Sequence, residues 1–428
     1  LYTFINIPEF KPCFRFKLRD IVPAKFPMYL DRHHFHFFGN RDIQALYVSL
    51  GMLSFAEGII GIFVPIFLWS LGYSLATILS FFLLNSIAFL VMSAALLPLI
   101  RKLRDITMIG ASLPFLIAYY LGLHALAAYP WLFVVLPIVL AVHMLLYNVG
   151  YHAHFSGAND PSHVGREVGM RNMVSLLTRL AAPAIGGVLI TQYGFPTAFT
   201  VGGIMLLASA IPLLFTTPHA SAPGVRFTAV LRSIVDPTIR GFTWSGAGYA
   251  VVTSIGGIIW PLALFLTIGN LAQLGILVTI GFIGELLTTS AAGFLSDTTR
   301  RTLVLRAAAS ASAVVWAIRP LLDSPLTLGG SHLIGNAVVA VTMVAWSSQY
   351  YDIARAAPAP GAFILGREML YHIARVTVIP LLILAATQLP QQQFLTASFL
   401  TASVCTLGFL VARIPLISKV EKGSAPVA

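Results

Sequence analysis

The chain has 428 residues, of which 57% are hydrophobic and only 10% are charged. Soluble domains carry about 25% charged residues, so this composition excludes an ordinary soluble enzyme. The formal net charge of +11 would suit a nucleic-acid partner, but the basic residues flank long apolar blocks, and we expect a lipid bilayer as the partner and no nucleic acid. Blocks of about 20 apolar residues predict an all-α integral membrane protein.

Twelve apolar stretches are long enough to cross a bilayer as helices. They cover approximately residues 43–70, 75–100, 106–127, 130–152, 166–191, 196–216, 238–266, 271–296, 302–322, 330–352, 364–388 and 392–416. The longest connection between spans, 217–237, is rich in Pro, Ser, Ala and Arg. The sequence therefore predicts two bundles of six helices.

The predicted organisation has five parts. They are an N-terminal segment (1–42), a first bundle (43–216), a linker (217–237), a second bundle (238–416) and a C-terminal tail (417–428). All but three of the 26 Lys and Arg residues lie on one side of this topology. By the positive-inside rule, we expect the segment, the linker and the tail to be cytoplasmic. Residue 1 is Leu and not Met, so whether the N-terminus is complete stays open.

Two short patterns recur in the two halves. Gly61-Ile-Phe-Val-Pro65 is echoed by Gly257-Ile-Ile-Trp-Pro261, and Gly165-Arg166-Glu167 is echoed by Gly366-Arg367-Glu368. Both echoes stand at matching places in halves of equal orientation. They predict parallel repeats related by a pseudo-two-fold axis, an arrangement that places a substrate site near the midplane between the halves.

The connection after the eighth span carries Gly293-Phe-Leu-Ser-Asp297-Thr-Thr-Arg300-Arg301. This segment resembles the gating loop of the major facilitator superfamily, a Gly-x-x-x-Asp pattern followed by two basic residues. The resemblance implies a divergent, bacterial-type member in the cytoplasmic membrane. The matching first-half segment ends in Arg101-Lys102 but lacks the Gly and the Asp, which puts a latch of the usual type on that side in doubt.

The fifth span carries a second resemblance. Gly169, Pro183, Gly186 and Gly187 are similar to the signature of the superfamily's antiporters. Ala182 stands where the signature has a Gly before the Pro, and Thr178 replaces another Gly. The partial match implies export, although small residues and Pro are also common wherever helices pack closely.

Four ionisable residues fall deep inside predicted spans: Glu57, Arg179, Glu285 and Arg375. A charge at mid-bilayer costs at least about 2.5 kcal/mol and usually requires a partner or water. In the superfamily that the chain resembles, the helices carrying them face the central cavity, so a Glu would carry a proton and an Arg would bind an anionic substrate. The competing interpretation is that each acid–base pair is a static bridge within its own bundle.

Further polar side chains are candidates for the wall of a substrate cavity. They are Tyr147 and Asn148 in the fourth span, Trp260 in the seventh and Gln349 in the tenth. For His152 and His154 we favour an aromatic belt at the membrane interface with snorkelling histidines. The tract of His33, His34 and His36 is expected to be interfacial rather than metal-binding.

The sequence thus predicts a secondary active transporter of a small molecule that works by alternating access, with proton coupling and export as the finer expectation. One alternative is a proton-coupled importer of an anionic or polar metabolite, with Arg179 or Arg375 as the counter-ion. A remote alternative is a membrane-embedded enzyme that modifies lipids. We expect no cofactor and no metal, because no phosphate loop, catalytic triad or CxxC pair occurs. Substrate, coupling ion and oligomeric state stay open.

Overall fold

The computed structural model describes residues 41–158, 173–213, 225–298 and 301–412. Within these ranges, twelve helices are long and apolar enough to cross a membrane, and no strand occurs there. They are α1 (Tyr47–Ser70), α2 (Leu75–Ala95), α3 (Asp105–Ala125), α4 (Leu132–His154), α5 (Met173–Tyr193), α6 (Phe195–Leu213), α7 (Pro237–Ile268), α8 (Leu271–Thr289), α9 (Thr302–Leu321), α10 (Pro325–Ala354), α11 (Pro360–Gln388) and α12 (Gln391–Val411). The prediction of twelve spans is confirmed.

The first repeated pattern marks the same irregularity in both halves. In α1 a 3₁₀ turn, Gly61–Phe63, precedes Pro65, and in α7 a π turn, Ile255–Ile259, precedes Pro261. Proline removes one backbone donor and clashes with the carbonyl four residues earlier, so the preceding turn leaves α geometry. A glycine at positive φ then follows each helix, Gly72 after α1 and Gly269 after α7.

The helices form two six-helix bundles with matching internal packing. In the first bundle α1 packs on α5 and α6, and α4 packs on α2 and α3; α3 also contacts α6. In the second bundle α7 packs on α11 and α12, and α10 packs on α8 and α9; α9 also contacts α12. Each of these five contacts in the first bundle thus has its counterpart six helices later, which is the predicted pseudo-symmetry.

Contacts between the bundles occur in both halves of the membrane. The main ones are α5 with α8 and α2 with α11. We call the face at which α2 ends and α3 begins the basic face, because Arg101, Lys102 and Arg104 lie there. Toward the basic face, α4 contacts α10 and α11; toward the opposite face, α1 contacts α7.

Small residues bring α5 against its neighbours. A Cβ atom added to Gly187 would collide with the backbone of Leu271 on α8, and one added to Gly275 would collide with the carbonyl of Pro183. Gly186 approaches the backbone of Ile59 on α1 in the same way. In a lipid bilayer the hydrophobic effect does not drive helices together, so membrane helices associate through such close packing. Pro183, Gly186 and Gly187 of the predicted helix-five signature therefore lie where α5 touches α1 and the second bundle.

A short helix, Phe227–Val235, which we call the linker helix, packs on α11 at the basic face. The contact is close at Gly366, whose missing side chain leaves room for Ser233 and the carbonyl of Val230. Arg101 donates a hydrogen bond to the Val225 carbonyl and so ties the linker to the first bundle. The five predicted parts of the chain stay predictions; residues 1–40, 214–224 and 413–428 lie outside the described residues.

We predict that Gly275→Ala lowers the apparent melting temperature of the detergent-purified protein. Alanine favours a helix over glycine by up to about 1 kcal/mol, but here overpacking against Pro183 is expected to cost about 1–3 kcal/mol. The matched control is Gly330→Ala in α10, where a Cβ would meet nothing within 4 Å. This variant should be neutral or stabilising. Equal effects of the two substitutions would contradict the assigned close contact.

Candidate functional site

A cavity of about 210 Å³ lies between α1, α5 and α8, at the junction of the two bundles. Its polar lining consists of Ser54, Glu57, Ser175 and Arg179. The two serine hydroxyls hydrogen-bond each other across α1 and α5, with 2.7 Å between their Oγ atoms. A polar cavity buried at membrane depth, lined by two ionisable side chains, is the arrangement expected of a substrate or ion pathway.

Arg179 and Glu285 form an ion pair across the two bundles, with 3.0 Å between Nη2 and Oε1. The guanidinium also lies over the ring of Phe282, 4.8 Å from its centroid. The interpretation in which each acid–base pair bridges its own bundle is wrong for this pair. The close approach of α5 and α8 brings side chains of opposite bundles within reach, while Glu57 of the same bundle lies outside ion-pairing distance.

Glu57 is the charged residue of this cavity that lacks a partner. Among the described residues it makes no hydrogen bond and no ion pair, and it is exposed toward the cavity. Gly58 lets α1 approach α5 closely at Ala182 and Arg179, and the side chains of Glu57 and Arg179 line the same cavity. The two side chains interact electrostatically without touching.

Arg375 lies apart from the cavity, on α11. Its Nη2 donates a long hydrogen bond of 3.4 Å to Thr253 Oγ1 on α7, and its Nε has no partner among the described residues. No acid therefore neutralises Arg375 directly in the described part of the chain. The expected pairing of Arg375 with Glu285 is not formed, because Glu285 is engaged by Arg179.

A second polar contact between the bundles lies toward the basic face. Asn148 on α4 donates a hydrogen bond of 3.0 Å from Nδ2 to Glu368 Oε2 on α11. The other carboxylate oxygen of Glu368 pairs with Arg367, whose guanidinium stacks 3.7 Å from the ring centroid of Tyr350. Glu368 and Arg367 are both buried. The sequence pointed to this pair only as a repeated triplet and did not assign it to the site.

Two further contacts accompany the Asn148–Glu368 hydrogen bond. The ring of His372 on α11 stacks on Phe89 of α2, 3.8 Å between centroids, and His152 Nδ1 lies 2.9 Å from the hydroxyl of Tyr351. We call these three contacts the basic-face latch. The latch joins α2 and α4 of the first bundle to α10 and α11 of the second.

The snorkelling prediction is wrong for His154. His154 is 3% exposed, and its Nδ1 lies 2.8 Å from Asp105 Oδ2 at the start of α3. A buried acid at the first turn of a helix holds the imidazole inward. Tyr147 stacks between the rings of His143 and Tyr151, at 5.5 and 5.8 Å.

Trp260 and Gln349 lie inside the second bundle and do not line the cavity. Trp260 donates a hydrogen bond of 3.1 Å from Nε1 to His332 Nδ1. The guanidinium of Arg319 is sandwiched between Trp260 and Trp316, 3.8 and 3.9 Å from the ring centroids. Gln349 is buried, and its Oε1 has no partner in the described part of the chain.

The gating motif stays a prediction. Gly293 and Asp297 fall in the last turns of the helix Leu271–Thr298, and Arg301 begins the helix Arg301–Ile318. Arg300 and Gly169 lie outside the described residues. In the described ranges, no group of three or more His, Cys, Asp or Glu side chains is placed to hold a metal ion.

We predict that Asn148→Ala opens the basic face. The lost hydrogen bond to a carboxylate is worth about 1.5–3 kcal/mol, which is a population shift of about tenfold or more. Double electron–electron resonance would measure the distance between spin labels attached at Lys102→Cys and Ala356→Cys. Cys13 and Cys405 are replaced by Ser so that only these two positions are labelled. The matched control is Asn85→Ala, which removes a hydrogen bond to the Pro137 carbonyl inside the first bundle. An unchanged distance distribution in Asn148→Ala would contradict the latch.

Among the comparisons with known proteins, a sequence model shows the family. The sequence model of the Major Facilitator Superfamily matches residues 46–378. The human organic anion transporter MFSD10 (TETRAN) has a similar fold, with a TM-score of 0.62 at 14% identity, covering 87% of this chain and 99% of that one.

A crystallised variant of the E. coli fucose:proton symporter FucP is similar too, with a TM-score of 0.63 at 12% identity, covering 87% of this chain and 98% of that one. A search of curated protein sequences finds no significant match. At these identities the two structures support the fold alone, whereas the sequence model covers most of the chain. The chain is therefore a multi-pass membrane protein that belongs to the major facilitator superfamily of secondary transporters.

Proposed function

We propose that the chain is a proton-coupled transporter of a small molecule that works by alternating access, with Glu57 as the group that carries the proton. The observation that supports this most directly is the unpartnered Glu57 carboxyl in the cavity between the bundles. A carboxylate at this depth is stable only with a counter-charge, water or a proton. Membership of a transporter family favours transport over the alternative of a lipid-modifying enzyme.

Through Arg179, the proposed protonation of Glu57 would affect the ion pair that joins the two bundles. It lies between two carboxyls, Glu57 on its own side and Glu285 on the other bundle. When Glu57 is protonated, only Glu285 attracts the guanidinium, and the bridge between the bundles is favoured. When Glu57 loses its proton, its charge competes for Arg179 and weakens the bridge. A ligand that discriminates between two states shifts their populations in this way.

We also propose that the basic face is cytoplasmic, as the distribution of Lys and Arg favours. By sequence, the basic residues before α1 and after α12 fall on the same side of the topology as Arg101, Lys102 and Arg104. Both termini would then be cytoplasmic. Export is the direction that we propose for the substrate. It is supported by the partial helix-five signature, whose Gly187 lies against the second bundle and would limit how α5 and α8 move past each other.

We predict that Glu57→Gln removes one pH-dependent carboxyl signal that the wild-type protein shows. The measurement is infrared difference spectroscopy of protein reconstituted in lipid, following the C=O band of protonated carboxyls as the pH is varied. The matched control is Glu285→Gln, which removes the carboxyl paired with Arg179; it should keep a titrating Glu57 band, moved to a different pH because Arg179 has lost the carboxyl that competes for it. If the band is present in Glu57→Gln, Glu57 is not the proton carrier and the proposal fails.

A second candidate is supported by Arg375, which no described acid neutralises. This candidate is a proton-coupled importer of an anionic metabolite. The arginine would form a charge-assisted hydrogen bond with a substrate carboxylate. Under this alternative α11 carries the substrate contact and Glu57 keeps the coupling role.

We predict that ligand-induced stabilisation separates the two candidates, because a ligand that binds only the folded state raises the melting temperature. The probes are succinate and tetraphenylphosphonium, added to the purified protein. Tetraphenylphosphonium tests for a cationic substrate held by the Glu57 carboxylate, and stabilisation by it that is lost in Glu57→Gln but kept in Arg375→Gln favours the first candidate. Stabilisation by succinate that is lost in Arg375→Gln, and retained in the control Arg104→Gln, favours the second.

A further inference from the structure

We propose that the second bundle carries a binding site for an anionic phospholipid of the leaflet at the basic face, in the groove between α7, α11 and α12. The groove has a volume of about 940 Å³ and is the larger of the two cavities described here. It lies on the outside of the bundle, away from the cavity that contains Glu57, and is independent of the proposed transport chemistry.

The dimensions of the groove suit an acyl chain. Along α7 it runs from Pro237 to Val251, which is about 21 Å at 1.5 Å per residue. One leaflet of a bilayer contributes about 15 Å of hydrocarbon, so the groove extends from the headgroup level through most of a leaflet. Its wall is mainly apolar or small, and Gly248 and Gly408 let α7 and α12 pack closely where they meet along the groove.

The charge at the mouth of the groove suits an anionic headgroup. Arg240 lines the end nearest the basic face, and Arg232 lies eight residues earlier in the chain, on the linker helix; both are exposed. Neither forms an ion pair among the described residues. The acid between them, Asp236, accepts hydrogen bonds from the backbone and hydroxyl of Thr238. Trp244, 64% exposed, is one turn deeper than Arg240, the usual place of an interfacial aromatic ring.

The sides of α11 differ in a way that supports an occupied groove. Leu370, Ile373, Ala374, Thr377 and Val378 line the groove, and they share one helical face at spacings of three and four residues. The other face carries the latch residues Glu368 and His372. On the groove side α11 and α12 pack sparsely against each other compared with their packing on α7. A lipid chain would supply the missing contacts and hold α11 against α7.

The experiment uses full-length protein in phosphatidylcholine vesicles doped with phosphatidylglycerol that carries brominated acyl chains, and in parallel with brominated phosphatidylcholine. Bromine quenches tryptophan fluorescence on contact, and the difference between wild type and Trp244→Phe isolates the signal of Trp244. For brominated phosphatidylglycerol we expect half-maximal quenching at a mole fraction about fivefold lower than for brominated phosphatidylcholine. This is the factor that one basic residue contributes at an anionic surface.

Two substitutions and one control test the assignment to the groove. Arg240→Gln should abolish the preference for phosphatidylglycerol, whereas Arg104→Gln, an equal loss of charge on the first bundle, should keep it. Ala374→Phe should fill the groove and weaken quenching of Trp244 by both lipids. Equal quenching by the two lipids in wild type, or equal effects of Arg240→Gln and Arg104→Gln, would overturn the proposal in favour of bulk lipid at an unselective surface.

Discussion

A charge in the membrane interior requires a counter-charge or water, and in this protein Arg179 finds its counter-charge on the other bundle. The ion pair with Glu285 can form only because α5 and α8 approach closely, and they approach because Gly187 and Gly275 have no side chains. The same contact between α5 and α8 therefore joins the bundles and neutralises Arg179. Any movement that separates α5 from α8 must give Arg179 another partner, and Glu57 is the carboxyl beside it.

The two membrane faces hold the bundles together by different means. Toward the opposite face α1 meets α7 through helix segments made almost wholly of apolar residues. Toward the basic face the latch uses a buried amide–carboxylate hydrogen bond and two aromatic contacts. Apolar surfaces can slide past each other with little loss of contact, whereas a hydrogen bond is lost when its donor and acceptor move apart or out of line. The basic face is therefore the side whose closure depends on specific polar partners.

Sequence patterns predicted the helices and their order well because spanning length and charge asymmetry are one-dimensional signals. The repeated pattern around Pro65 and Pro261 corresponds to an irregular turn in both helices, because proline disturbs a helix locally. Partners were harder to predict: helix spacing gives the depth of a residue but not the neighbour that its face meets. Arg179 and Glu285 were both identified, yet their pairing depends on the packing of α5 on α8. His154 looked interfacial by position, and only the fold brings Asp105 beside it.

Helix α11 connects features that the sequence presents separately. Gly366 receives the linker helix, Glu368 and His372 form the latch, and Arg375 reaches α7, all within ten residues. The proposed lipid groove lies on its other side. The linker helix and α7 both pack on this one helix, whose side chains close the basic face. A displacement of either would therefore be transmitted to the latch through α11.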